Sequence, residues 1–393
     1  MARILVCILS DQAIPNLASI IHYKPEKIIL LESKRAKENN FDGKILESLK
    51  DRGVIFSPES IFKVSVANEN SILETQNALA STVSFYSTSD ELIVNISGGL
   101  KPIAIATYNF FSTRIANIVY ILNDDKIINC KSDAKINLDI SPPLTCKQHL
   151  LAYGFTTQLK QDDNIATNED VLKIIRLIAS DFGNEELLIF EDDRQKGRFR
   201  DKGGNPEDFN WNPKISDIIK KSVSDIQTKK PETKKFWGKV LTGEWLEIFI
   251  RDLLFRNKDY LKIHDIQLGP TIKKIGVQND NGNELDVAFM KGTRLNFIEC
   301  KSGTQQHGKW QDVFYKVESI KKQFGALQVY SHLASSSNNI LDKENKIKTE
   351  VQLRADLYNC TIISAEIIRQ LAMASNAEEE CKILINEPNK PYV

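Results

Sequence analysis

Five short runs in the first third of the chain, Arg3–Leu9, Lys27–Leu31, Ile61–Val66, Leu92–Ile96 and Ile118–Leu122, are largely apolar and β-branched instead of strictly alternating. Successive strand residues point to opposite faces, so a strand that is apolar throughout must be covered on both sides. Helical stretches centred near residues 14–22, 36–51, 69–86 and 101–115 separate the runs. That alternation predicts a doubly wound parallel sheet with helices on both faces, a Rossmann-like domain. A further short strand, Lys126–Cys130, and the punctuation Ser141-Pro142-Pro143 close this region at about residue 145.

The 393 residues leave room for two or three domains. Fifty-two Lys plus Arg balance fifty-two Asp plus Glu, so no global basic field marks a nucleic-acid binder and any such binding must rest on local patches. The six cysteines show no CxxC spacing, which fits a reducing compartment. The N-terminus opens directly on a strand, without the flanks of a signal peptide, and no apolar run reaches membrane-spanning length. A cytoplasmic protein with no membrane partner is expected.

Residues 146–235 read as a connector region, with an apolar helix at Glu169–Ala179 and a polar stretch at Glu191–Pro213. Lys220, Lys221, Lys229, Lys230, Lys234, Lys235 and Lys239 follow, interrupted by Phe236 and Trp237. Such a segment is either a solvated helix face or a nucleic-acid contact strip. A third region, 236–393, opens with a helix over Phe236–Arg256 and continues as mixed α/β.

That region holds the densest chemistry. Asn283-Glu284-Leu285-Asp286-Val287 and Phe297-Ile298-Glu299-Cys300-Lys301 flank Gly292-Thr293, a Gly-first pair suited to a two-residue type II′ hairpin turn. Pairing Lys291 with Arg294 sets Asp286 opposite Glu299, and Glu299 shares its face with Lys301. Three ionisable groups then converge among apolar neighbours, an arrangement that is costly without a cation. On the preceding helix Glu244, Glu247 and Arg251 are spaced to share one face, so one of the two acids is expected to approach the hairpin. Cys300 points the other way, as core.

A helix Glu, then Asp286, then Glu299-Cys300-Lys301 resembles the PD-(D/E)xK nuclease superfamily over about sixty residues. Gln311-Asp312-Val313-Phe314-Tyr315 resembles the Gln-x-x-x-Tyr element of its RecB-like members. The resemblance implies a restriction-endonuclease-like domain and a Mn²⁺ or Mg²⁺ ion held by Glu247, Asp286 and Glu299. It also implies that Lys301 serves the attacking water and the scissile phosphate, with Gln311, Tyr315 and Lys316 near substrate.

In the N-terminal region Ser97-Gly98-Gly99-Leu100-Lys101-Pro102 joins a strand to a helix. Paired glycines admit an anion to backbone N–H groups, the helix N-terminus favours negative charge, and Lys101 adds a cation. The first strand is followed by Ser10, Asp11, Gln12 and Asn16, polar groups able to read a base or ribose, and both loops leave a parallel sheet at its C-terminal edge, where ligands bind. The alternative for the glycine turn is a merely structural bend. The two loops resemble the CARF domain, the CRISPR-associated Rossmann fold that senses cyclic oligoadenylates. With the domain order, the chain resembles the Card/Can group of ancillary nucleases of type III CRISPR systems.

That resemblance implies a sensor over 1–145 and a nuclease over 236–393. It implies a homodimer binding one cyclic tetra-adenylate across its two-fold axis, and cleavage of single-stranded DNA or RNA or nicking of supercoiled DNA. Two other functions fit parts of the sequence. One is a CARF-type ligand-responsive transcription regulator, which would need no acids in metal-site order. The other is a RecB-like repair nuclease, which would need no activator.

Overall fold

The computed structural model describes residues 1–158, 168–182, 187–204, 209–224, 231–278, 281–302, 310–324 and 329–385. β1 (Arg3–Ile8), β2 (Lys27–Ser33), β3 (Ile61–Val66), β4 (Glu91–Asn95) and β5 (Asn117–Ile121) form the parallel part of a seven-stranded sheet. Its order is β3-β2-β1-β4-β5-β6-β7, the last two strands, β6 (Lys126–Asn129) and β7 (Lys135–Asn137), running antiparallel. As the apolar runs require, both faces are buried. Leu5, Cys7, Leu30 and Ile93 pack into one core, and Ile4, Val6, Ile8, Ile29 and Val94 into another.

Two expected helices are shorter than their periodicity suggests. The stretch 36–51 breaks into Lys34–Glu38 and Phe41–Asp51, with Asn40 in the left-handed region at φ +51°. Asn tolerates that conformation where most residues do not. The stretch 69–86 is α-helical over Ile72–Ala80, capped by Ser71, whose hydroxyl accepts from the Glu74 N–H at 3.2 Å, and tightens to a 3-10 helix over Ser81–Phe85.

The C-terminal half is built on a mixed five-stranded sheet, ordered β15-β14-β13-β12-β9. β8 (Phe155–Gln158) lies apart from it and joins β10 (Thr271–Lys274) and β11 (Asn283–Glu284) in a three-stranded sheet. In the larger sheet β9 (Ile263–Leu268), β12 (Val287–Lys291) and β13 (Arg294–Lys301) are antiparallel. β14 (Val329–Ser335) and β15 (Cys360–Ile363) continue in parallel from β13.

The continuous helix expected over Phe236–Arg256 is broken. Pro231–Lys239 and Trp245–Arg256 flank a widened turn, Val240–Glu244, in which Gly243 takes φ +150°. The stretch expected to be a connector contributes Val171, Ile175, Ile178, Trp211 and Ile219 to one core with Trp237, the Trp245–Arg256 helix, Ile298 and Cys300. Phe236 and Trp237 are buried there, so the neighbouring Lys220, Lys221 and Lys235 are left as an exposed outer face. Lys229 and Lys230 lie outside the described residues. Among the described residues no helix is long and apolar enough to cross a membrane.

Candidate functional site

β12 and β13 pair in the expected register, Lys291 with Arg294 through Val287 with Ile298. Gly292 takes φ +57°, as a Gly-first tight turn demands. The run Asn283–Val287 is not one strand: Asn283 and Glu284 pair with β10, and Asp286 sits between the two elements just before β12. Its Oδ2 accepts from the Cys300 N–H at 2.6 Å.

Glu299 is fully buried. Lys301 bonds its Oε1, while Lys316 reaches both oxygens at 2.9 and 2.8 Å. Lys301 Nζ stands 3.9 Å from Asp286 Oδ2. Burial, then the Glu299 charge, pushes the Asp286 carboxyl up to about 6. Burial pulls Lys301 downward, but Glu299 and Asp286 outweigh it and the ammonium ends above its ordinary value. Lys316 comes from the Trp310–Gln323 helix, on the sheet face that also holds Leu295, Phe297, Val313 and Val317. A lysine next to the Gln-x-x-x-Tyr pair was legible in the sequence; its bidentate grip on Glu299 was not.

Glu247 occupies the first turn of the Trp245–Arg256 helix, which packs on the opposite sheet face with Ile298 and Cys300. The Cys300 thiol, raised mainly by burial, feels Asp286, Glu247 and Glu299. All three acids thus lie around that residue. Among the described residues, however, no three His, Cys, Asp or Glu side chains form a direct metal-ligating group. Glu244 ends the widened turn before the helix begins, so it does not extend a regular helical face with Glu247, and Arg251 lies over the Phe255 ring at 5.0 Å. Of the Gln-x-x-x-Tyr pair, Gln311 is half-buried and Tyr315 is exposed, its hydroxyl accepting from Arg354 Nη1 at 3.0 Å.

At the N-terminal sheet, β1 and β4 are parallel neighbours, so the loops that follow them emerge side by side. Gly98 is needed because a Cβ there would fall on the Ile8 carbonyl, and Gly99 takes φ +79°. Lys101 is exposed at the start of the Lys101–Ser112 helix. Asp11 pairs with Arg35 at 2.9 Å, and Ser10 Oγ accepts from the Gln12 N–H at 3.1 Å.

Asn16 faces inward and is fully buried, donating to the Ile8 carbonyl at 2.8 Å. Asn95 is the hub that sequence reasoning missed. Its amide reaches Asn16 Oδ1 at 3.1 Å and Ser19 Oγ at 2.8 Å, and its oxygen accepts from Ser97 N and Oγ at 3.0 and 2.6 Å. The available signal was a polar residue closing the otherwise apolar run Leu92–Val94. Asn16 and Ser97 therefore brace the two loops against each other.

Residues 4–148 match the family model of the Card1 CARF domain, and residues 234–356 that of the Card1-like endonuclease domain. No curated protein matches. Among solved structures, Can2 from Sulfobacillus thermosulfidooxidans, determined in complex with cyclic tetra-adenylate, is similar at TM-score 0.68 and 21% identity, over 94% of this chain and 95% of that one. Protein VC1899 from Vibrio cholerae follows at TM-score 0.66 and 17% identity, covering 93% and 95%. A type III CRISPR defence DNA nuclease activated by cyclic oligoadenylate is similar at TM-score 0.52 and 15% identity, over 86% of this chain and 45% of that one. These likenesses extend the shared fold over nearly the whole chain, and the two family matches fall one on each half. The chain therefore belongs with the Card1-like CARF–endonuclease proteins of CRISPR systems.

Proposed function

We propose that the protein is a metal-dependent endonuclease switched on by a cyclic oligoadenylate, cyclic tetra-adenylate by preference, in cytoplasmic type III CRISPR defence. The observation that carries this reading is the convergence of Asp286, Glu299 and Lys301 at the open end of one hairpin, in a chain whose other half is a CARF domain. In this reading residues 1–145 sense, 146–235 connect and 236–393 cut. The activator lies over Ser10, Asp11, Gln12, Ser97, Gly98, Gly99 and Lys101, with Asn16 holding the loops in place. Two chains pair to match a two-fold ligand.

The donor chemistry fits a hard divalent ion of the PD-(D/E)xK type. Asp286 and Glu299 offer oxygens from adjacent positions, and the Asp286 carboxyl is raised first by burial and then by the neighbouring Glu299 charge. Two carboxylates suit Mg²⁺ or Mn²⁺, which keep several waters, and Glu247 is placed to act from behind Cys300. When bound, the ion supplies an acidified water and charge stabilisation at the phosphoryl oxygens. Lys301 orients that water and neutralises charge developing on the phosphate. Lys316 holds Glu299 in place. Gln311 and Tyr315 lie on the same helix as Lys316, where they would meet the nucleic-acid strand.

The test is cleavage of labelled single-stranded DNA, single-stranded RNA and supercoiled plasmid by the purified protein, with and without Mn²⁺ or Mg²⁺ and cyclic tetra-adenylate. Cleavage that needs the metal and rises with the activator is expected. Full-rate cleavage without activator would instead indicate a RecB-like nuclease. Ligand-dependent DNA binding without cleavage would indicate a transcription regulator.

A further inference from the structure

The turn after β5 leaves the N-terminal sheet at the same edge as the Ser97-Gly98-Gly99 loop, because β4 and β5 run parallel with Asn95 level with Val119. The two are hydrogen-bonded: Ser97 Oγ accepts from the Ile121 N–H at 2.6 Å. Four residues beyond Ile121, Asp125 takes φ +58° and aims its carboxylate out of the domain. Its Oδ1 accepts from Thr293 N at 3.2 Å and from Thr293 Oγ1 at 2.6 Å. Its other oxygen lies against Gly292, where a Cβ would fall on it. The Thr293 carbonyl in turn meets His149 Nδ1 at 3.2 Å, from the Cys146–Ala152 helix. A carbonyl only accepts, so Nδ1 carries the hydrogen.

All three polar groups of Thr293 are thus held by the N-terminal half. Thr293 is the closed end of the β12–β13 hairpin, whose open end carries Asp286, Glu299 and Lys301. Ladder hydrogen bonds make such a pair stiff along its length, so a shift at the turn is passed to the acids instead of being absorbed. A carboxylate accepting two hydrogen bonds from one residue is a strong, directional grip.

We infer that Asp125 is the positioning residue through which the state of the activator edge is passed to the nuclease hairpin, by its hold on Gly292-Thr293. The inference rests on the proposed function of both sites. It requires a two-state element biased at one end and read at the other.

The test compares wild type with Asp125→Ala, Asp125→Asn and Gly292→Ala. Four quantities are read: cyclic tetra-adenylate affinity by calorimetry, basal metal-dependent cleavage, activated cleavage, and hydrogen exchange of residues 294–301 with and without activator. Asp125→Ala should bind the activator within about twofold of wild type and keep its basal rate, while stimulation by the activator falls by about tenfold or more. The activator-induced change in exchange over β13 should vanish with it. Asp125→Asn, which keeps one acceptor oxygen, should recover part of the stimulation, and Gly292→Ala should lose it by displacing the carboxylate. Wild-type stimulation and exchange in Asp125→Ala overturn the inference. So does a parallel fall in basal rate and melting temperature with the stimulation ratio preserved, which marks a merely structural contact. A wild type that ignores the activator in both cleavage and exchange defeats the proposed function itself, and this link falls with it.

Discussion

Glu299 has no exposed surface, yet two lysines from different elements meet its carboxylate, and Asp286 stands within reach of one of them. Removing a single charge from such a centre should be felt as chemistry before it is felt as folding. Glu299→Ala and Lys301→Ala should each lower activated cleavage by about 10³-fold or more, with cyclic tetra-adenylate affinity by calorimetry unchanged. Near-normal Mn²⁺-dependent turnover in Glu299→Ala would sink the assignment. The pH response has a definite sign. The folded-state pKa of Asp286, about 6, lies above its ordinary value of 3.8 because of burial and Glu299. A raised carboxyl contributes stability below its unfolded pKa, and that contribution is lost as pH climbs through the folded value. Metal-free Asp286→Asn should therefore melt higher than wild type at pH 8, and the gap should close as pH falls from about 7 to 4. A gap that widens on acidification contradicts the burial argument. Lys301 and Glu299 were legible from strand alternation alone, since period two fixes their common face. Lys316 was not, because which helix lies over that face is a matter of packing.

Three helices meet at Glu380, which is fully buried. Its carboxylate takes Arg176 from Glu169–Leu177, Arg256 from Trp245–Arg256, and Asn257 just beyond, each at 2.6 Å. Arg176 also donates to the carbonyls of Leu371, Ala372 and Ala374 at the end of the Ala365–Met373 helix. Glu380→Ala leaves two guanidinium groups without their shared partner and should cost about 3 kcal/mol, read as a lower denaturant midpoint at unchanged slope. A loss below about 0.5 kcal/mol would mean that water replaces the carboxylate. Gly98→Ala acts on a different element. Its methyl must push the loop off the Ile8 carbonyl, so activator affinity should fall by about tenfold or more while metal-dependent basal cleavage stays. The helix over Phe236–Arg256 shows why elements blur in sequence: the pattern is apolar on both sides of Gly243, and only the φ of +150° required there divides it.

At the scale of the whole molecule the two halves share a continuous core. Leu5, Cys7 and Ile14 fall in the same cluster as Ala288, Met290, Phe297 and Phe314. Cys146 donates its N–H to Asp265, and His264 Nε2 meets the Leu144 carbonyl at 2.9 Å. The sensor and the nuclease hairpin are therefore not beads on a linker. If two chains share one activator, light scattering should give about twice the 44.6 kDa of the chain with or without ligand; a monomer in both states would require another geometry of activation. The apolar runs by themselves dictated the doubly wound sheet, because strands apolar on both faces have no other stable surroundings. The Gly-first turn and the two-residue period likewise dictated the hairpin register and the pairing of Glu299 with Lys301. These are local matters, settled within a few residues of chain. Only the tertiary structure decided that Glu247 comes within electrostatic reach of Cys300, that Lys316 grips Glu299, that Asn16 turns inward to Asn95, which holds Ser97 of the glycine loop, and that Asp125 seizes the hairpin turn 168 residues away. Such contacts depend on which faces pack together and at what separation, and no spacing within one element encodes that.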